Sequence, residues 1–294
     1  MSILFIKDVL KLSRPYQYSK NLFVFLPAFF SFQLTNWSVM QQAIIAFSAF
    51  SLIASSVYIF NDWIDKEADA NHPVKCSRPI AAGRLGNITV FTVLTLFLLG
   101  GAMTTLVVST QALVYVAIYL LLNLGYSLRL KHVAIIDIVI IASGFVLRLL
   151  VGSAATHVAL SHWIIVMTFL LALFLSLAKR RDDVLIYINT EQKMRKVVDG
   201  YNLKFLDAAM MMTASIVVIA YILWSISPEV SERLSSENLY LSAIFVILGI
   251  MRYMQIAFVE ERSGNPSKVL LEDRFIQLTL AGWLGTFFCI LYVI

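Results

Sequence analysis

The stretch VMQQAIIAFSAFSLIASSVYIFNDWIDKEAD, residues 39–69, joins a long apolar run to a strongly acidic segment. Residues 39–60 contain no charged side chain. A helix of about 20 apolar residues is long enough to cross the hydrocarbon core of a membrane. Four oxygen-bearing side chains follow at once, namely Asn61, Asp62, Asp65 and Asp69. The stretch therefore predicts a membrane-spanning helix that leaves the membrane at a cluster of carboxylates.

These four side chains share one face of the predicted helix. At about 100° of rotation per residue, they project within an arc of about 100°. Three carboxylates on one face repel one another, so we expect a cation between them. Mg²⁺ suits such oxygen ligands, because it binds one or two carboxylates and completes its shell with water and substrate phosphates.

The remainder of the chain has the composition of a membrane protein. Of its 294 residues, 60% are hydrophobic and 14% charged, and the mean hydropathy is +0.81, far from the soluble norm. Apolar runs occupy residues 20–35, 39–60, 88–108, 110–128, 132–152, 159–178, 205–227, 238–260 and 274–293. Because the backbone in lipid must satisfy its own hydrogen bonds, these runs are predicted to be helices. We predict an all-α polytopic membrane protein with about nine transmembrane helices, forming one integral membrane domain over residues 1–294.

The first residues form a different kind of helix. Residues 1–14 carry Lys7, Asp8, Lys11 and Arg14 in an amphipathic pattern, which is typical of a helix that lies in the membrane interface. We expect the amino terminus to stay on the cytoplasmic face.

The basic residues indicate the orientation. The N-terminal segment together with residues 61–87, 129–131, 179–204 and 261–274 holds 20 of the 23 Lys and Arg residues. So uneven a distribution predicts a cytoplasmic amino terminus and an outside carboxyl terminus. The net charge of +5 then reflects these loops and the binding of anionic lipid or substrate, not of nucleic acid.

Cations follow the acidic segment closely. Lys75, Arg78 and Arg84 come after it in the same loop. A diphosphate bridged by Mg²⁺ requires such a combination, since the metal neutralises part of the charge and Lys or Arg binds the remaining oxygens.

The motifs resemble those of a known family. Asn61-Asp62-x-x-Asp65-x-x-x-Asp69, with Arg78-Pro79-Ile80 after it, resembles the first motif of the UbiA-type intramembrane prenyltransferase superfamily. Tyr126-Ser127 with Arg129 and Lys131, and then Asp182 and Asp183, stand where that family has its later motifs. The resemblance implies nine helices around a cytoplasm-facing cavity.

Two further segments resemble one branch of the superfamily, the decaprenyl-phosphate phosphoribosyltransferases. They are residues 14–25, RPYQYSKNLFVF, and Gly264-Asn265-Pro266 leading to residues 270–274, LLEDR. Prenyl-diphosphate users usually carry two Asp residues four apart in the second motif, whereas positions 186 and 187 here are Ile186 and Tyr187. The branch implies Mg²⁺-dependent transfer of 5-phosphoribose from phosphoribosyl diphosphate to a polyprenyl phosphate such as a decaprenyl phosphate. It also implies a bacterial inner (plasma) membrane, and a product that serves either cell-wall biosynthesis or the synthesis of another glycan.

The candidate site residues follow from these motifs. We assign Asp62, Asp65 and Asp69 as catalytic, and these three with Asn61 as Mg²⁺ ligands. The residues expected to bind substrate are Lys20, Asn21, Asn61, Lys75, Arg78, Tyr126, Lys131, Arg180, Arg181, Asp182, Asp183 and Arg252. Asp137 and Arg148 lie inside the fifth run, and for Arg148 we expect a structural role with the side chain extended outward.

Two alternatives stay open. A prenyltransferase of the same fold would move a prenyl group from a prenyl diphosphate to an aromatic acceptor, as in quinone biosynthesis, and it would share the first motif. A transporter would distribute charges through its spans and over both faces, whereas here they concentrate in one set of loops.

Overall fold

The protein is described by a computed structural model that covers residues 3–71, 75–190, 196–234 and 236–292. All regular elements in these ranges are helices, so the predicted all-α class is confirmed. The described chain divides into two compact units. A single integral domain over residues 1–294 stays a prediction, and its ends, residues 1, 2, 293 and 294, lie outside the described ranges.

Unit 1 comprises Met1–Lys131 and Ser143–Leu160. Its α-helices are α1 (Ile3–Ser13), α2 (Leu26–Phe30), α3 (Trp37–Ile64), α4 (Lys66–Ala70), α5 (Asn87–Val108), α6 (Thr110–Leu128) and the later part of α7 (Ile136–Thr156). Three 3-10 helices, Pro15–Phe25, Lys75–Ser77 and Leu130–His132, lie between or beside them, the last of them ending at the first residue of unit 2.

Unit 2 comprises His132–Ala142 and Ser161–Ile294, and so takes the first residues of α7. Its other α-helices are α8 (His162–Thr190), α9 (Leu203–Ser225), α10 (Pro228–Leu234), α11 (Ala243–Phe258), α12 (Pro266–Glu272) and α13 (Arg274–Tyr292). The 3-10 helices Lys196–Gly200 and Asn238–Ser242 precede α9 and α11.

The core of unit 1 forms around α3. This helix begins at an Asn36 cap, whose Oδ1 accepts the Ser38 amide at 3.1 Å. It packs closely on α5. A Cβ placed on Gly101 of α5 would be only 2.8 Å from the Ile53 side chain, so only glycine fits there. Small residues permit this approach between membrane helices. The tight pairing holds the acidic end of α3 in place.

The core of unit 2 forms where α8 packs on α9 and α11. Phe174, Leu206, Met210 and Ile256 are fully buried there. The helix α8 carries the second acidic motif in its last turns, so this core positions that motif.

Seven helices among the described residues are long and apolar enough to span a membrane, and the chain is an integral membrane protein. They correspond to seven of the nine predicted runs. The last run forms α13, of which Arg274–Ile290 is apolar but shorter. The first run, residues 20–35, does not form one long helix, because it is divided between the 3-10 helix Pro15–Phe25 and the short α2. A count of nine is thus not confirmed.

The amino-terminal helix α1 docks on one side only. Leu12 is fully buried, and Asp8 accepts from the Arg84 Nε at 3.0 and 3.1 Å. Ile6 and Leu10 are exposed instead, 44% and 56% of each residue. This exposed apolar side is compatible with the predicted interfacial position, which stays a prediction.

Candidate active site

The first acidic motif lies at the junction of α3 and α4 in unit 1. Helix α3 ends at Ile64 and α4 begins at Lys66. The Asp69 amide nevertheless donates to the Asp65 carbonyl at 2.8 Å, so the helical path continues across the junction. The shared face predicted for the motif is therefore largely kept.

Two of the three carboxylates are buried and share one arginine. Asp62 and Asp69 are each 3% exposed. The Arg78 Nη1 lies 2.9 Å from the Asp62 Oδ1 and 2.5 Å from the Asp69 Oδ2. This guanidinium offsets the repulsion between them, since it places one positive charge within hydrogen-bond distance of both carboxylates.

Other cations complete the pairing. Arg14 forms a short ion pair with the Asp62 Oδ1. The Lys131 Nζ lies 2.5 Å from the Asp65 Oδ1, and the Lys75 Nζ lies 3.8 Å from the Asp69 Oδ1. In these pairs four cationic side chains meet three carboxylates. Cations gathered in this way can also attract an anionic ligand.

The donor set of this cluster fits a hard divalent cation. The Asn61 Oδ1 is buried and has no hydrogen-bond partner, while its Nδ2 donates to the Asp65 Oδ2 at 3.2 Å. An orphaned amide oxygen beside a carboxylate is a suitable pair of ligands for Mg²⁺, which takes its remaining ligands from water and phosphate. Within the described ranges, no three His, Cys, Asp or Glu side chains form a metal-binding group by themselves.

Arg14 is a member of this cluster that was not predicted from the sequence. It stands directly before Pro15 in a left-handed conformation, with φ of 52°. Its guanidinium also lies 5.3 Å from the centre of the Tyr58 ring. The only signal in the sequence was the RPYQ segment itself, because Arg14 and Asp62 are far apart along the chain.

Three further residues of unit 1 were predicted to bind substrate. Lys20 is half-buried on the 3-10 helix Pro15–Phe25, and Tyr126 is half-buried in the last turn of α6. Asn21 is 1% exposed. Its Nδ2 donates to the Ser51 Oγ, and its Oδ1 accepts from the Arg148 Nε. The structure thus gives Asn21 protein partners instead of an open position.

Unit 2 holds the second acidic motif in a different arrangement. Arg180 is 1% exposed, and its Nε donates to the Asp137 Oδ2 at 2.6 Å. Its Nη1 donates to the Asp183 Oδ2 at 2.5 Å. The Tyr201 hydroxyl donates to the Asp137 Oδ1 at 2.6 Å. These contacts form a buried ionic triad, Asp137–Arg180–Asp183, in which Arg180 is oriented inward.

Tyr201 is a hydrogen-bond donor to this triad. Burial, together with its hydrogen bond to the Asp137 carboxylate, raises the pKa of the Tyr201 phenol above its ordinary value. The Ile135 amide donates to the same hydroxyl oxygen at 2.7 Å. Tyr201 therefore stays neutral at physiological pH and satisfies the second oxygen of Asp137.

Arg181 and Arg252, both predicted to bind phosphate, also have protein partners. The Arg181 Nε lies 2.7 Å from the Asp207 Oδ1, and its Nη1 donates to the Ala257 carbonyl at 2.6 Å. The Arg252 Nη2 lies 2.7 Å from the Asp273 Oδ2. The hydrogen bond from Arg252 holds the pKa of the Asp273 carboxyl below its ordinary value. Both arginines thus stabilise contacts between helices of unit 2.

The Asp182 carboxylate packs directly against Gly264. A Cβ at Gly264 would be 2.1 Å from the Asp182 Oδ2, and the Ser263 and Gly264 amides face this carboxylate. Ser263 is fully buried and donates from its hydroxyl to the Ala178 carbonyl at 3.2 Å. Asp182 therefore holds the loop between α11 and α12, although its Oδ1 is buried without a partner.

Replacing Gly264 with Ala is expected to destabilise the protein by about 1–3 kcal/mol, since a methyl group forced into a filled site displaces its neighbours. Thermal unfolding in detergent measures the change. Gly285→Ala is the matched control, because no atom lies near a Cβ at that position. Adding Asp182→Ala to the Gly264→Ala variant should recover part of the loss, and no recovery would refute this contact as the cause.

Comparison with known proteins supplies the family. The model of the UbiA prenyltransferase family matches residues 22–279. Decaprenyl-phosphate phosphoribosyltransferase of Mycolicibacterium smegmatis is 30% identical, over 98% of this chain and 93% of the relative. The enzyme of the same name from Corynebacterium glutamicum is 32% identical, over 97% and 86%.

Solved structures agree in fold. A UbiA homolog from Archaeoglobus fulgidus bound to DMAPP and Mg²⁺ superposes with a TM-score of 0.71 at 16% identity, covering 98% of this chain and all of that one. The apo structure of a UbiA homolog from Aeropyrum pernix K1 gives 0.64 at 13% identity, covering 93% and 98%.

Proposed function

Because the chain belongs to the UbiA prenyltransferase family and is a transferase, we propose that it moves 5-phosphoribose from phosphoribosyl diphosphate to a polyprenyl phosphate, in a Mg²⁺-dependent reaction. The relatives named as decaprenyl-phosphate phosphoribosyltransferases support this donor and acceptor. We further propose that the reaction takes place in a plasma membrane, with the amino terminus in the cytoplasm.

One observation carries the proposal, which is the pairing of carboxylates and cations at the α3–α4 junction. A donor with a diphosphate needs oxygen ligands for its metal and cations for its phosphate oxygens within a few ångströms of each other. Asp65 with its partner Lys131, and Asp69 with its partner Arg78, supply both within one cluster.

The residues of this cluster have separable roles. Asn61 and Asp65, with Asp62 and Asp69, would hold Mg²⁺, which neutralises diphosphate charge when it is bound. Arg78 can contact a phosphate oxygen while it keeps a carboxylate, because a guanidinium has five N–H donors. Lys131 and Lys75 extend the positive surface on the Asp65 and Asp69 sides.

The reaction is a substitution at the anomeric carbon of ribose. The bond between this carbon and the diphosphate oxygen breaks, and the diphosphate leaves with the electron pair. A new bond forms from the same carbon to an oxygen of the lipid phosphate. Positive charge develops on the ribose ring and negative charge on the diphosphate, so the carboxylates and the cations of the cluster stabilise opposite ends of the transition state. An ionised lipid phosphate is already a nucleophile, and the reaction needs no general base.

Offering the purified protein a choice of donors tests the proposal. With polyprenyl phosphate, Mg²⁺ and radiolabelled phosphoribosyl diphosphate, we expect label in the lipid. A labelled prenyl diphosphate with an aromatic acceptor should react at least about a hundredfold more slowly, because a site built for polar groups rejects a ligand that lacks them. Thin-layer chromatography of the extracted lipid measures both products.

The outcomes separate the three candidate functions. Preferential labelling of the aromatic acceptor would replace the proposal with prenyl transfer. Uptake of label into proteoliposomes without any covalent product would replace it with transport. Glu67→Gln, an exposed change outside the cluster, controls for damage by substitution and should transfer at the wild-type rate.

A further inference from the structure

Arg148 is a buried cation inside a membrane-spanning helix. The sequence predicted an outward side chain, but Arg148 on α7 is only 4% exposed, which corrects that expectation. A charge inside a membrane protein is costly unless protein groups stabilise it. Among the described residues, no carboxylate forms an ion pair with Arg148.

Neutral groups of unit 1 stabilise this charge instead. The Nε donates to the Asn21 Oδ1 at 2.9 Å, and the Nη1 donates to the Gly144 carbonyl at 2.7 Å. The rings of Phe50, Tyr119 and Phe145 have their centres 5.0–5.4 Å from the guanidinium carbon. Three aromatic faces and two strong acceptors can replace a counter-ion, because a ring face attracts a cation. In the part of the chain that the structure describes, neutral protein groups therefore hold the Arg148 guanidinium without a paired carboxylate.

The partner of this cation lies on an unusual element. Asn21 belongs to the 3-10 helix Pro15–Phe25, which is 11 residues long. Runs of 3-10 helix longer than a few residues are uncommon, because their hydrogen-bond geometry is poorer than that of an α-helix. Such a segment needs support from its surroundings to persist.

The support comes along one face, at every third residue. The Tyr18 hydroxyl bonds the Ser55 Oγ at 2.8 Å. Asn21 donates to the Ser51 Oγ at 3.0 Å and accepts from Arg148. A Cβ placed on Gly152 of α7 would be only 2.1 Å from the Val24 carbonyl oxygen, so α7 and this 3-10 helix are in backbone contact. Positions three apart share a face of a 3-10 helix, so these contacts form one continuous line.

The same helix leads directly to the candidate active site. Arg14 is the residue immediately before it and pairs with Asp62. Any shift of the 3-10 helix therefore moves the backbone of Arg14 relative to α3. Arg148 is the only charged side chain in the line of anchors just described, and its bond to Asn21 is charge-assisted, which makes it a strong one.

We propose that Arg148 is a positioning residue, which holds the 3-10 helix Pro15–Phe25 through Asn21 and thereby holds Arg14 against Asp62. This inference rests on the proposed function, because it assigns Arg148 to the binding of the diphosphate donor. In this assignment Arg148 acts through Asn21 and Arg14, without touching the donor.

Arg148→Met tests the inference through two measurements. The first is hydrogen exchange of the peptide that contains residues 15–25, which should become about tenfold faster with the charge-assisted bond removed. A peptide from α9, in unit 2, should not change. The second is calorimetric titration with phosphoribosyl diphosphate and Mg²⁺, where we expect about tenfold weaker binding.

Two other variants make the test specific. Tyr119→Phe removes a hydroxyl 3.4 Å from the Arg148 Nη2 but leaves the bond to Asn21, so both measurements should remain at wild-type values. Asn21→Ala removes the acceptor of the Arg148–Asn21 hydrogen bond, so it should give the same faster exchange and weaker donor binding as Arg148→Met. It also decides the matter if Arg148→Met does not fold.

The contrary outcomes are distinct. Unchanged exchange in residues 15–25, or faster exchange with unchanged donor affinity, would overturn the role of Arg148 and leave the proposed function intact. A wild-type protein that binds neither phosphoribosyl diphosphate nor inorganic diphosphate would refute the donor site, and this inference with it.

Discussion

Asp65→Asn is expected to lower the rate of phosphoribosyl transfer by about a hundred- to a thousandfold, the usual effect of removing one electrostatic contact to a reacting group. The substitution keeps the shape of the side chain and removes its charge. Asp65 is the most accessible carboxylate of the cluster, with a side chain 28% exposed, so its loss should affect chemistry more than folding. Label transfer to polyprenyl phosphate across a Mg²⁺ titration measures the effect.

The control for this experiment is Glu67→Gln. It removes the same charge two residues away, on an exposed position of α4. We expect wild-type transfer and wild-type Mg²⁺ dependence from it. If Asp65→Asn folds in detergent and behaves as this control does, then the α3–α4 junction is not the site of the reaction.

Arg180→Met is expected to destabilise the protein by about 3–5 kcal/mol, the usual result of leaving a buried charge without its partner. Asp137 is fully buried and would keep only the Tyr201 hydroxyl and its remaining neutral neighbours. The same substitution at Arg262, whose side chain is 47% exposed, should change stability by less than about 1 kcal/mol. Unfolding in detergent, by heat or by denaturant, compares the two variants.

This prediction separates a structural from a substrate-binding role for Arg180. The basic run before Asp182 suggested that Arg180 binds phosphate. Wild-type stability in Arg180→Met, combined with weaker binding of phosphoribosyl diphosphate, would support that role. Lower stability in a folded variant with unchanged donor affinity would support the buried triad as its function.

Local features of the sequence predicted the helices well, because their causes are local. A run such as residues 88–108 has to form a helix wherever it meets lipid, since its backbone has no other hydrogen-bond partner there. The shared face of the acidic motif was also predictable, because the helical repeat places Asn61, Asp62, Asp65 and Asp69 on one side of a helix. The family resemblance rested on these same residues and is confirmed.

The conformation of the first apolar run was not predictable from its own sequence. Residues 20–35 are apolar, yet the structure has a 3-10 helix, Pro15–Phe25, and the short α2 in place of one span. The contacts that accompany this conformation come from Ser51, Ser55 and Arg148 on other helices. No pattern within the run itself indicates them.

The membrane class, the helical content and the carboxylate face at the end of α3 can be predicted from the chain, since they depend on composition and on the helical repeat. Which cation meets which carboxylate depends on the folded arrangement. It paired Arg14 and Arg78 with Asp62, and it turned Arg180 toward Asp137. An ion pair needs its two side chains within about 4 Å of each other, and for residues that are distant along the chain only folding sets that separation.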